Sequence, residues 1–152
     1  MPIAQFNIAR ALWPLTDSRM SEFTRMVERM NDLAKRSPGY LWRLEDEEGP
    51  DAPKFPGDPR MTFTLSAWED IDSLRQFTWN TIHKRFRMRR AEWFEPLDRA
   101  YLAIWPIAAE HRPNGTEALA MLDQLQCEGP SDAVFGTEAI APAREQAPVA
   151  AS

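Results

Sequence analysis

From Met61 to Trp68 the sequence MTFTLSAW alternates with the two-residue period of a β-strand. Met61, Phe63, Leu65 and Ala67 point to one face; Thr62, Thr64, Ser66 and Trp68 point to the other. Glu69 and Asp70 follow, two acids suited to the positive end of a helix. The run from Ile71 to Phe94 then predicts one helix, with Ile71, Leu74, Ile82, Phe86 and Trp93 on a shared face. His83 falls at the border of that face, four residues after Trp79, three before Phe86 and seven before Arg90. A reactive side chain is thereby set beside aromatics and a guanidinium, where an apolar face meets a polar one.

The rest of the chain repeats the strand–helix theme. Ile3–Leu12 reads as a strand, with Ala4, Phe6, Ile8 and Leu12 on one face and Gln5 and Asn7 on the other. Trp13-Pro14 ends it, because proline cannot continue a central ladder. Asp17 or Ser18 can cap the next helix, in which Met20, Phe23, Val27, Met30 and Ala34 recur at three and four residues. Ser37-Pro38-Gly39 breaks that helix. Tyr40–Glu45 reads as a second strand with Tyr40, Trp42 and Leu44 on one face. Asp46–Arg60 is an acidic connection rich in Pro and Gly, which reads as an insertion, a disordered loop or a lid.

Tyr101–Ile107 is a strand that is apolar on both sides. Asn114 and Glu117 resemble a capping box. They open a short helix with Ala118, Leu119, Leu122 and Leu125 on one face, ended by Gly129-Pro130. Ala133–Phe135 is a candidate last strand. From Gly136 the chain is rich in Ala, Pro and Glu without apolar periodicity and reads as a disordered tail. The expected organisation is therefore one domain over residues 1–135 and a tail over 136–152.

The order β-α-β, β-α-β is the ferredoxin-like α+β pattern, an antiparallel sheet with helices on one face. Strands apolar on both sides then call for a cover on the second face. A second copy of the chain, sheet against sheet, supplies one, so a homodimer with a barrel between the sheets is expected.

Composition narrows the class of function. A net charge of −5 argues against general nucleic-acid binding. No apolar run approaches the roughly 18–20 residues of a membrane span. One cysteine, Cys127, cannot form an internal disulfide, and no secretory signal is visible, so a cytoplasmic location is the expectation. Phosphate loops, nucleophile elbows, dinucleotide fingerprints and Cys/His metal clusters are all missing from the sequence, so no metal site is expected.

Three roles are open to His83: general acid/base, axial haem ligand, or a structural or solvated histidine. Lys84, Arg85, Arg87, Arg89 and Arg90 form a basic cluster. Most of it reads as a solvated face neutralised by nearby acids. Arg90 lies closest in angle to His83 and is the candidate to hold an anion. The six tryptophans and eight phenylalanines are either core filling or the walls of an aromatic pocket.

Several segments together resemble one bacterial family of unknown function. They are AQFNIAR, SPG followed by LWRL, LSAWEDIDSLRQF, the stretch from His83 through Arg89-Arg90 to Trp93-Phe94, and HRPN with the later GPS. The resemblance runs from Pro2 to about Phe135. That family is placed in the dimeric α/β-barrel superfamily, which holds cofactor-free antibiotic-biosynthesis monooxygenases and haem-degrading monooxygenases. The resemblance implies a pocket between sheet and helices, and it makes Asn7 the counterpart of an asparagine that the monooxygenases use. The leading expectation is a cofactor-independent enzyme acting on a small hydrophobic, partly anionic molecule. His83 and Asn7 would be catalytic, Arg90 would hold the anion, and Trp68, Trp79 and Trp93 would form walls. Haem binding through His83, or a ligand-binding or interaction domain without catalysis, are the other readings. If His83 holds haem, adding haem gives a Soret band that His83→Ala abolishes; identical spectra for the two proteins would remove that reading.

Overall fold

The computed structural model describes residues 1–141, apart from the side chains of Thr81, Ile82 and His83. Its strands are β1 (Ile3–Arg10), β2 (Tyr40–Arg43), β3 (Met61–Trp68) and β4 (Leu102–Pro106). They form one antiparallel sheet in the order β2-β3-β1-β4. The helices are α1 (Ser21–Lys35), α2 (Ile71–Thr78), α3 (Thr81–Met88) and α4 (Gly115–Glu128). This is the ferredoxin-like α+β fold read from the sequence.

Side-chain caps open α2 and α4, while Asp17 caps the 3-10 turn Ser18–Met20 that leads into α1, whose own N-cap, Met20, makes no side-chain bond. Asp17 Oδ1 accepts from the Arg19 N–H before α1, Asp70 Oδ1 from the Ser73 N–H of α2, and Asn114 Oδ1 from the Glu117 N–H of α4. The proposed last strand shrinks to a single bridge, in which Ile104 and Phe135 exchange two backbone hydrogen bonds of 2.8 Å.

The helical run after β3 is not one helix. It breaks at Trp79-Asn80 and again after Met88, and a 3-10 turn covers Arg90–Glu92. Thr78, Trp79, Asn80 and Thr81 are all poor helix formers. The Thr78 hydroxyl bonds back to the Leu74 carbonyl at 2.8 Å, and the Trp79 indole N–H reaches out to the Ile140 carbonyl at 2.7 Å. Trp93 is still a core residue, packed with Phe23 and Phe86 at ring separations of 5.7 and 5.9 Å.

β2 also departs from simple alternation. Tyr40 pairs with Trp68 and Trp42 with Ala67, so Leu41 is an extra, exposed residue in a β-bulge. Tyr40 consequently packs edge-on against Trp68 on one side of the sheet. Trp42 packs into the opposite core instead of sharing Tyr40's face.

The two faces of the sheet bury different partners. On one, Ile3, Trp68 and Ile104 meet Ala34 of α1 and Leu74 of α2. On the other, Ala4, Phe6, Leu65 and Trp105 meet Ala118, Leu122 and Leu125 of α4. The 46–60 connection helps to close this second face with Ala52 and Phe55. It is seated by a 2.6 Å hydrogen bond from the Gly115 N–H to the Asp51 carbonyl. A side chain on Gly115 would strike the backbone of Pro53, so only glycine permits that approach. The cover that two-sided strands demand therefore comes from α4 and this loop, within the chain.

The segment after Gly136 departs from the expected tail. Thr137–Ile140 forms a 3-10 turn docked on α2. Ile140 is buried, and Arg75 donates to the Ala139 carbonyl at 2.8 Å. One isoleucine without a repeat gives no periodic signal, so packing rather than pattern decides this segment. Residues 142–152 of the expected tail lie outside the described residues. Ile140→Ala is expected to cost about 2–4 kcal/mol in urea unfolding, as for other buried isoleucines; a loss within error would mean that the turn does not dock.

Candidate functional site

On the α1–α3 side the helices do not cover the sheet completely. A cleft of about 840 Å³ is left there. Its floor comes from alternate residues of two central strands: Gln5 and Asn7 of β1, and Thr62, Thr64, Ser66 and Trp68 of β3. Phe23, Val27 and Met30 of α1 line one wall, and Leu74 and Phe77 of α2 another. Phe86, Arg90, Phe94 and Tyr101 close the end nearest β4.

The floor is polar and organised. Gln5 Nε2 donates to Ser66 Oγ at 2.8 Å and to Thr64 Oγ1 at 3.2 Å. Trp68 Nε1 donates to the same Ser66 oxygen at 3.0 Å. Trp68 itself stacks on Phe77 with ring centroids 5.1 Å apart, which fixes it as a rigid wall. Beside this network the Asn7 amide lies on the cleft with no hydrogen-bond partner among the described residues. An amide so placed can donate to, and accept from, a ligand.

Arg90 sits in the 3-10 turn after α3. Its guanidinium carbon lies 4.5 Å from the Tyr101 ring centre and 5.6 Å from that of Phe94. No carboxylate pairs with it among the described residues. Burial pulls its pKa below the usual guanidinium range, and neighbouring Arg87 pulls the same way. A half-buried cation held by ring faces and lacking an acid is suited to an incoming anion. Arg89, one residue earlier, is spent instead on Glu22 and Glu92. For Arg89 this is neutralisation by nearby acids, as expected for a solvated basic face.

The cleft thus brings together Asn7, Trp68 and Arg90. Trp79 and Trp93 do not line it. Trp79 anchors Ile140 and carries Arg87 over its ring at 4.4 Å, and Trp93 belongs to the aromatic cluster behind Phe86. Their helical spacing placed them with His83 only if the helix ran unbroken. The His83 side chain lies outside the described residues. Among the described residues lining the cleft there is neither histidine nor cysteine. No group of three His, Cys, Asp or Glu suited to a metal occurs among the described residues.

Gln5, Ser66 and Tyr101 were missed as site residues. The signal was present: Gln5, Asn7, Thr62, Thr64 and Ser66 alternate onto the face that helices cover. A polar floor under helices is wasteful in a solid core and useful in a cavity. If Arg90 is retained for a ligand rather than for the fold, Arg90→Met leaves the protein at least as stable as before in chemical denaturation. A loss of more than about 2 kcal/mol, the size of a desolvated cation–π contact, would make it structural.

Three solved structures show the same fold. A conserved protein from Methanosarcina mazei Go1 aligns with 14% identity and a TM-score of 0.54, covering 71% of this chain and 94% of its own. A Nitrosomonas europaea protein, described as a "putative antibiotic biosynthesis monooxygenase", aligns with 14% identity and a TM-score of 0.53, over 73% and 94%. Rv0793 from Mycobacterium tuberculosis aligns with 11% identity and a TM-score of 0.54, over 74% and 100%. No curated protein matches the chain. With residues 2–151 matched, the chain belongs to the family described as Domain of unknown function (DUF3291).

Proposed function

We propose that the cleft binds a largely apolar, anionic small molecule, and that the protein is a small cofactor-independent enzyme acting on it by oxygenation or by proton transfer. The observation that carries this reading is Arg90, a cation without an acid, on an apolar cleft that also holds the unpartnered Asn7 amide. Arg90 takes the carboxylate, phenolate or enolate of the ligand through charge-assisted hydrogen bonds. Trp68 and Phe77 lie along the carbon skeleton. Asn7 turns one N–H toward the oxygen on which negative charge grows when the molecule loses a proton, which lowers the barrier to that loss. His83 is the proposed proton acceptor on the strength of the sequence. The Nitrosomonas europaea protein shares the fold, and its description is in keeping with the oxygenation branch.

The expected homodimer rests on the family resemblance, since α4 and the 46–60 loop already cover the second face of the sheet. Sedimentation at micromolar concentration decides it.

Binding of 8-anilinonaphthalene-1-sulfonate, an apolar anion, tests the cleft directly. Its fluorescence is expected to rise with the native protein. Arg90→Gln is expected to weaken binding about ten-fold or more, the size of one charge-assisted contact. Asn7→Ala should bind as well as the native protein but slow oxygen uptake with polycyclic hydroxyketones. Equal affinity in the native protein and Arg90→Gln removes the anion site. Oxygen uptake unchanged in Asn7→Ala removes its catalytic role.

A further inference from the structure

Arg43 ends β2, at the sheet edge opposite β4. The bulge at Leu41 sets Arg43 in register with Ser66, so it faces the helix side of the sheet and lines the same cleft as Arg90. Its side chain is only 16% exposed, and its Nε is fully buried with no hydrogen-bond partner. Its closest acid is Glu45, 3.8 Å away; that carboxylate is itself exposed and held by Lys35 at 2.9 Å. A buried guanidinium N–H left unspent is costly unless something else accepts from it.

Ser66, directly across from Arg43, is in the same position. Its Oγ already accepts from Gln5 Nε2 and Trp68 Nε1, which occupies both lone pairs. Its own proton has no acceptor among the described residues. Two neighbouring side chains that line the cleft therefore carry donors without acceptors, at the end away from Arg90. Glu47 and Glu48 also line the cleft, but both are exposed to solvent, where their charge is screened.

We propose that Arg43 and Ser66 form a second oxyanion subsite, so that the cleft takes an elongated, rigid apolar molecule with an acidic group at each end. This rests on the reading of Arg90 as an anion anchor and narrows its substrate class. The strand order fixes the spacing. Arg90 lies over Tyr101, just before β4, whereas Arg43 lies on β2: the strands are three inter-strand steps, roughly 14 Å, apart, and Tyr101 is three residues, roughly 10 Å, along from Ile104, which is level with Arg43. The two arginines therefore mark opposite ends of the cleft, a separation that suits a fused or linked pair of rings with an acid at each end. A ligand with one charge uses one end and leaves the donors at the other unpaired.

Calorimetric titration with biphenyl-4,4′-dicarboxylate and biphenyl-4-carboxylate tests this. The diacid is expected to bind at least about ten-fold tighter than the monoacid, one decade for one added charge-assisted contact. Arg43→Gln should erase that preference while leaving the monoacid affinity nearly unchanged. Arg90→Gln should weaken both ligands. Equal affinities in the native protein overturn the second subsite without relying on any variant. So does an Arg43→Gln protein that keeps the preference or weakens both ligands alike, since the residue would then act only by general charge. A diacid preference that Arg43→Gln removes, together with an Arg90→Gln protein that binds normally, would overturn the Arg90 reading and with it the two-ended ligand. Failure of both compounds to bind overturns both readings.

Discussion

The pairing of β1 along both its edges is the constraint on which everything else here depends. It bonds to β3 over its whole length, from Ile3 opposite Trp68 to Arg10 opposite Met61, and to β4 over its first half. Because side chains alternate, this double pairing fixes two faces at once. Ala4, Phe6 and Ile8 go into the core beneath α4, and Gln5, Asn7 and Ala9 go toward the cleft. A slip of one residue would exchange the two sets, burying amides in the apolar core and filling the cleft with phenylalanine. The same register that builds the core therefore builds the site.

The fold was largely legible because period and punctuation agreed. Strand alternation, helical spacing and the caps at Asp17, Asp70 and Asn114 all pointed to one arrangement. What was not legible depended on tertiary contacts. At the break the Trp79 indole bonds to Ile140, a residue 61 positions away, a contact that no local pattern announces. The side of the sheet that α4 covers is decided by how the chain returns after β4, which no local pattern encodes. The docked turn at Thr137–Ile140 contributes one buried side chain and a pair of carbonyls, too little to register as an element.

The site was legible only where its residues sit on the sheet or just behind a helix. Strand alternation, which survives local irregularity, sets Asn7 and Trp68 on the cleft side of the sheet, but it was the family resemblance that marked Asn7 as a site residue. Trp79 and Trp93 were placed by extending a helical wheel across two breaks, and each break rotates the wheel. Arg90 was singled out for its nearness to His83, yet what marks it in the structure is the lack of a carboxylate beside Tyr101 and Phe94. A cation kept half-buried without a partner lowers stability, and a binding site is where such a cost is commonly retained.

The bulge at Leu41 has a consequence for how the cleft can change. In an uninterrupted ladder the same four residues would set Leu41 against Ala67, Trp42 against Ser66 and Arg43 against Leu65. The guanidinium would then enter the apolar core, and an indole would occupy its place on the cleft. Because β2 is an edge strand with only four residues, such a shift disturbs few hydrogen bonds. Gain or loss of one residue in this strand is therefore a short evolutionary route between a cleft charged at both ends and one charged at a single end, with the central strands left untouched.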